Sequence, residues 1–162
     1  MDRLWSPWRY AYVSEASAAD DCIFCEKAAQ DRDRENFIVW RGRKNFVLLN
    51  LYPYTTGHLM IAPYEHVATL NAASAGTLEE MTELARAAER HLTDVYRPRG
   101  LNIGMNVGEC AGAGVAGHIH MHVVPRWPGD SSFMTTVGET RVLPEALEAT
   151  CEKLARAFGP KS

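Results

Sequence analysis

The sequence predicts an α+β fold: a mainly antiparallel sheet with one long helix and one C-terminal helix. Three observations predict it. Short β-branched and aromatic runs recur between turn residues. One stretch of helical periodicity is far longer than the others. Strands and helices do not alternate regularly, as a doubly wound sheet would require. The 162 residues, 46% hydrophobic and 23% charged, have an ordinary globular composition and suffice for one buried core. We expect an aromatic N-terminal arm over residues 1–21 and a single domain over 22–162.

The elements follow in order. In the arm, Trp5, Trp8, Tyr10 and Tyr12 surround Arg3, Pro7 and Arg9. Such aromatics suit packing on the body or on a second subunit; nucleic acid would need more positive charge. A short helix is expected from Cys22 to Gln30, then a solvated loop over Asp31–Asn36. Phe37–Trp40 and Phe46–Leu49 read as a hairpin turned at Gly42-Arg43-Lys44. Pro53 and Gly57 punctuate a loop before a third strand over His58–Ala62. Thr77-Leu78-Glu79-Glu80 has the form of a capping box. Leu78, Met81, Leu84, Ala85, Ala88, Leu92 and Val95 then recur at helical spacing, up to a stop near Pro98-Arg99-Gly100. His91, within this helix, reads as a surface residue. Leu101–Val107 reads as a strand and Gly108–Gly117, with four glycines, as a loop. His118–Val124 reads as a further strand, ended by Pro125. A last helix is expected from about Pro144 to Phe158, with Ala146, Leu147, Cys151 and Leu154 as its apolar side.

The formal net charge is -3, from 17 basic and 20 acidic residues. Bulk charge therefore disfavours a basic nucleic-acid-binding domain, although not a local anion pocket. No apolar run reaches the length of a membrane span, and Met1-Asp2-Arg3-Leu4-Trp5 lacks a signal peptide's apolar core. A cytoplasmic protein without membrane partners is the expectation. The four cysteines, 22, 25, 110 and 151, are too sparse for a disulfide framework. Cys22-Ile-Phe-Cys25 is either a redox pair or half of a metal site. The polar residues before it are not the strand that a thioredoxin-like motif wants. Cys151 reads as helix core.

Three of the six histidines lie in Gly117-His118-Ile119-His120-Met121-His122-Val123-Val124. On a strand alternate residues share a face, so the imidazoles project one way and Ile119, Met121 and Val123 the other. All three cannot comfortably bind one metal: at ~3.3 Å per residue the first and third start about 13 Å apart, against metal–nitrogen bonds of about 2.0–2.1 Å. Functions are therefore divided along the strand. A neutral imidazole is a good nucleophile, and attack on phosphorus gives a phosphoramidate. Neighbouring imidazoles can fix its tautomer, hold phosphate oxygens or pass a proton. The glycine-rich loop ending at this ladder is a credible phosphate cradle.

His118-Ile-His120-Met-His122-Val-Val resembles the signature of the histidine triad superfamily, three histidines alternating with apolar residues. The resemblance runs from about Cys22 to Pro125. It implies an α+β fold that usually forms a two-fold dimer, so a homodimer or higher homo-oligomer is expected. It implies His120 as the nucleophile that takes up a nucleoside monophosphate, with His122 on the phosphate side and His58 as a phosphate or orienting partner. Asn50 would hold a ribose hydroxyl, and Asn106 with Gly112 and Gly114 would bind the phosphate end. In zinc-bearing relatives the matching ligands are Cys22, Cys25, His66 and His118, a closed tetrahedral set that fits a structural zinc. No organic cofactor is implied.

Within the superfamily the chain departs from hydrolases that carry a glutamine before the triad: it has Ala113-Gly114-Val115-Ala116-Gly117 there. Arg3-Leu4-Trp5-Ser6-Pro7-Trp8-Arg9, Leu49-Asn50-Leu51-Tyr52-Pro53-Tyr54 and Val124-Pro125-Arg126-Trp127-Pro128-Gly129-Asp130 are similar to the bacterial diadenosine tetraphosphate phosphorylases. The resemblance thus implies adenine dinucleotides and inorganic phosphate as reactants, giving ADP and ATP. Hydrolysis, phosphoramidate cleavage and non-catalytic nucleotide binding are the alternatives. Arg126 reads as a surface charge.

Overall fold

The computed structural model describes residues 22–131, 135 and 143–159. The expected N-terminal arm lies outside them. The strands are β1 (Ile38–Arg41), β2 (Asn45–Leu49), β3 (Leu59–Pro63), β4 (Gly100–Met105) and β5 (Met121–Arg126). They form one sheet in the order β1-β2-β3-β5-β4 with every pairing antiparallel, as the irregular order of elements predicts.

All five residues of both β2 and β3 are buried. A strand covered on two faces reads as a continuous apolar run rather than an alternating one. On one face Val47, Leu49, Leu59, Ile61 and Val123 meet two helices, α2 (Ala75–Tyr96) and α3 (Leu147–Phe158), through Met81, Leu84, Ala88, Leu92, Cys151 and Leu154. On the other face Phe46, Leu48, Met60 and Ala62 pack against Phe24 of the short helix α1 (Ile23–Ala29). His122 pairs with Met60 on one side and Gly104 on the other, which puts it on the same face as Phe24.

The long helix starts earlier than the capping box suggests. Ser74, not Thr77, is its N-cap and accepts the Thr77 N–H at 3.2 Å. Glu80 points instead into the sheet. Its carboxylate accepts the N–H groups of Arg43, Lys44 and Asn45 at 2.7–2.8 Å and the Asn45 side-chain amide at 2.9 Å. A carboxylate that gathers the orphan donors of the β1–β2 turn is more valuable there than at a solvated helix end. At the far end Arg97 adopts a left-handed conformation, φ 48°, and its N–H bonds the Thr93 carbonyl before Pro98 prevents further helix.

Two further expectations change. The last strand begins at Met121, so His118 and His120 precede it, and Pro125 lies within it. Pro125 offers its carbonyl to the Thr55 hydroxyl at 2.7 Å. His91 is not simply a surface residue: it is half-buried, its ring 4.5 Å from that of Phe158. Among the described residues no helix is long and apolar enough to cross a membrane.

Candidate active site and metal cluster

The site is built where the loop after the glycines meets β5. Ile119, between the first two histidines, and Val123, after the third, are buried. The Phe24 ring lies 5.2 Å from His118 and 4.8 Å from His120, and His120 lies 5.0 Å from His122. What separates their chemistry is the partner of each ring nitrogen.

His118 is 1% exposed, and its Nε2 donates to the Pro63 carbonyl at 2.9 Å. The Nδ1 lone pair is thereby aimed at Cys22 Sγ, 3.3 Å away, and Cys25 Sγ, 3.6 Å away. His66 brings its Nδ1 to 3.3 Å from Cys25 Sγ. These four ligand atoms lie within 4.8 Å of one another. Burial pushes His118 down to about 4, so its ligating nitrogen stays unprotonated. Burial, and then the neighbouring Cys22, raise the Cys25 thiol. A bound cation would reverse that preference, since a coordinated thiol is deprotonated. Two sulfurs and two imidazole nitrogens converging in this way fit a metal such as zinc. The structure thus brings all four expected ligands together from α1, the segment after β3 and the segment before β5.

His120, 4% exposed, has the opposite arrangement. Its Nδ1 donates to the His118 carbonyl at 2.9 Å. The Nε2 therefore carries the lone pair, and burial lowers the ring's basicity so that it stays neutral.

His122 is set by His58. The Tyr54 N–H donates to His58 Nδ1 at 3.1 Å, so the proton of His58 sits on Nε2. That nitrogen is 2.9 Å from His122 Nδ1, which must accept, so the proton of His122 sits on Nε2. His58 is fully buried. Its contact with His122 is therefore made inside the protein. Gly57 makes the turn into His58 at φ 80°, where a Cβ would also come within 3.0 Å of Leu92.

The remaining expected residues are close but engaged. Asn50 accepts the Tyr52 N–H at 3.0 Å, and its amide lies 3.5 Å from His58 Nδ1, so it shapes the loop before β3. Asn106 donates to the Gly112 carbonyl at 3.4 Å. The Gly112 N–H is taken by Glu109 at 2.8 Å, and those of Ala111 and Ala113 by Gly108. Gly112, at φ 86°, shapes the turn, and the N–H groups of Ala111, Gly112 and Ala113 are spent within the loop. Cys110 is exposed in this loop, and Cys151 is buried in α3.

Residue-type reasoning missed Tyr54, Phe24 and the pair Arg126–Asp130. Arg126 is not a loose surface charge: Asp130 holds its Nε at 2.6 Å and Nη2 at 2.8 Å, and Asn102 takes Nη1 at 2.7 Å. The spacing of four residues across the Trp127–Gly129 turn was the only available signal for the pair. Beside His122 and Arg126 opens a cavity of about 480 Å³.

Comparison with known proteins agrees with this fold. The HIT domain matches residues 32–129. The chain is 39% identical over 162 residues to AP-4-A phosphorylase of Mycobacterium tuberculosis, covering 96% of this chain and 83% of the relative. It is 29% identical over 115 residues to Protein hit of Bacillus subtilis, covering 71% and 77%. Among solved structures it is similar to a Zn-bound histidine triad family protein from Mycobacterium smegmatis. The TM-score is 0.69 at 25% identity, over 87% of this chain and 95% of that one. Carried by the histidine ladder and by this match over more than half its length, the chain belongs to the HIT domain family.

Proposed function

We propose that the protein is a nucleotidyl transferase that phosphorolyses diadenosine tetraphosphate to ADP and ATP through a covalent nucleotidyl-histidine. The observation that carries this reading is the His120 Nδ1–H bond to the His118 carbonyl. It holds a buried, neutral imidazole with its Nε2 lone pair directed away from the backbone, the form a nucleophile needs. The likeness to AP-4-A phosphorylase over 96% of the chain supports the choice of substrate and acceptor.

In the first step His120 Nε2 attacks the phosphorus next to one adenosine. The P–N bond forms as the P–O bond breaks, and the bridging oxygen leaves with the electron pair as ATP. In the second step a phosphate oxygen attacks the same phosphorus. The P–O bond forms, the P–N bond breaks, the pair returns to Nε2 and ADP is released. His122 Nε2–H supports the phosphoryl oxygens, and His58 holds that tautomer. Asn50 is assigned to the ribose side. Asn106, Gly112 and Gly114 are assigned to the loop that seats the phosphates, Gly112 by its conformation. Phosphate must be bound and oriented better than water, which is always present.

Cys22, Cys25, His66 and His118 would hold one structural zinc, which when bound ties α1 to the segment before β5. The chemistry stays on the histidines. The β4 edge has a neighbour on one side only among the described residues, and Ile103 on it is 46% exposed. This supports self-association as a homodimer, checked by sedimentation.

The deciding experiment is product analysis of diadenosine tetraphosphate with and without phosphate. ADP and ATP, formed only when phosphate is present, are expected. AMP and ATP at the same rate in either condition would make the chain a hydrolase. Cleavage of adenosine phosphoramidates alone would make it a phosphoramidase, and binding without turnover a nucleotide-binding module.

A further inference from the structure

We propose that Thr55 is a positioning residue for two histidines of the site: its hydroxyl fastens the loop before β3 to β5, and so fixes which nitrogens of His58 and His122 carry protons. The consequence for turnover rests on the reading of His122 as a donor to the phosphoryl oxygens; the proton positions themselves are read without substrate.

The anchor is Pro125. It is buried within β5, and proline has no N–H to give to a neighbouring strand. The pairing of β3 with β5 begins at Leu59, opposite Val123, so this ladder stops short of Pro125. A buried carbonyl in that position needs a donor from outside the ladder. The Thr55 hydroxyl supplies one at 2.7 Å. The loop is thereby tied to the strand that carries His122, three residues beyond it.

From this anchor the chain closes on His58 twice. The Thr55 carbonyl accepts the His58 N–H at 3.2 Å, with Gly57 at φ 80° in the turn between them. Tyr54, the residue before Thr55, donates its N–H to His58 Nδ1 at 3.1 Å. The His58 proton therefore lies on Nε2 and is directed to His122 Nδ1, 2.9 Å away. Asn50 Nδ2 is 3.5 Å from the same His58 nitrogen, too long to take over from the Tyr54 N–H. The Tyr54 ring follows the loop as well: it lies 4.9 Å from that of His58, and 6.4 Å from that of His122 in a stacked arrangement. Release of Thr55 from Pro125 frees the Tyr54 N–H to move, and with it the choice of nitrogen on both imidazoles.

The adjacent threonine supplies the contrast. Thr56 Oγ1 is buried without a hydrogen-bond partner among the described residues. Two hydroxyls one residue apart thus differ in whether they hold the loop to the strand.

Nitrogen NMR of the full chain with isotope-labelled histidine is the first test. In the wild type, His58 and His122 are each expected to show a protonated Nε2 and an unprotonated Nδ1. Thr55→Val keeps the shape and removes the hydroxyl, and should give averaged nitrogen signals for both residues. Thr55→Ser should restore the wild-type pattern, and Thr56→Val should leave it unaltered. Wild-type signals in Thr55→Val overturn the proposal. A serine variant as altered as the valine variant also overturns it, because packing and not the hydroxyl would then matter. Where valine prevents folding, Thr55→Ala takes its place with the same outcomes. Kinetics with diadenosine tetraphosphate and phosphate are the second test. The kcat of Thr55→Val is expected to fall about tenfold, with KM within about twofold of the wild type and recovery in the serine variant. A raised KM with unchanged kcat overturns the positioning role, since only ground-state binding would have been lost. If the wild type does not turn this substrate over, the functional reading fails by itself, and the nitrogen signals still decide the role of Thr55.

Discussion

His118 and His120 are two residues apart, both buried, both bonded to a main-chain carbonyl, and built for opposite tasks. His118 gives its Nε2 proton to Pro63 and turns Nδ1 toward two thiols. His120 gives its Nδ1 proton to His118 and keeps Nε2 as its lone pair. The difference teaches that a carbonyl, by choosing which nitrogen stays protonated, decides whether an imidazole becomes a ligand or a proposed nucleophile. It also links the two ends, because the carbonyl that orients His120 belongs to the residue that completes the group of Cys22, Cys25, His66 and His118. Phe24, between the two cysteines, touches both rings.

The sharpest way to break the comparison is His120→Gly. Turnover of diadenosine tetraphosphate is expected to fall by about 10³-fold or more, while calorimetry still detects nucleotide binding. Near-normal turnover would end the division of labour.

At the other end, elemental analysis of protein purified without added metal should find one zinc per chain. Cys25→Ser should lose it and destabilise the fold by on the order of 3 kcal/mol, about 10 °C in Tm. Full occupancy by zinc in this variant would place the metal elsewhere. In metal-free protein the same cluster has a pH signature. His118 is depressed to about 4 from 6.5, so the unfolded chain binds its proton first as pH falls. Stability is full above pH 6.5, declines between 6.5 and about 4, and levels off below. The gap corresponds to on the order of 3 kcal/mol. Urea titrations across that range that remain flat for the metal-free protein would contradict it.

His58→Ala tests whether orientation is separable from chemistry. It frees His122 to adopt either tautomer, and kcat should fall about 10- to 100-fold with a smaller change in KM. Unchanged kcat would remove His58 from the orientation of His122.

The smallest effect expected lies outside both ends. Glu80→Gln should cost roughly 1–3 kcal/mol and leave zinc content and turnover alone. Burial by itself would raise the Glu80 carboxyl, but its bonds to Asn45, Arg43 and Lys44 prevail and lower it below 4.5. Its contribution is therefore present above pH 4.5 and lost as pH drops through the lowered value. The glutamine variant should lack that component of acid sensitivity in chemical denaturation.

Residue types carried much of this legibly. The cysteine pair, the histidine alternation and the long apolar stripe from Met81 to Leu92 led to the candidate metal ligands, the ladder and α2 because each is a local or periodic signal. Glu80 was misread for the same reason. Its capping-box spacing is local, while its true partners, Arg43 to Asn45, come from a hairpin some thirty-five residues earlier. Arg126 was set aside because a lone arginine after a strand carries no pattern until Asp130 and Asn102 surround it.

By itself, then, the sequence determined the order of elements, the antiparallel sheet and the set of residues that could do chemistry. Periodicity and residue type depend only on neighbours along the chain. The tertiary structure alone decided which nitrogen of each histidine is protonated, and that His58 and Tyr54 stand behind His122. Those properties depend on carbonyls and backbone N–H groups supplied by distant segments, and hydrogen-bond direction has no signature in residue spacing.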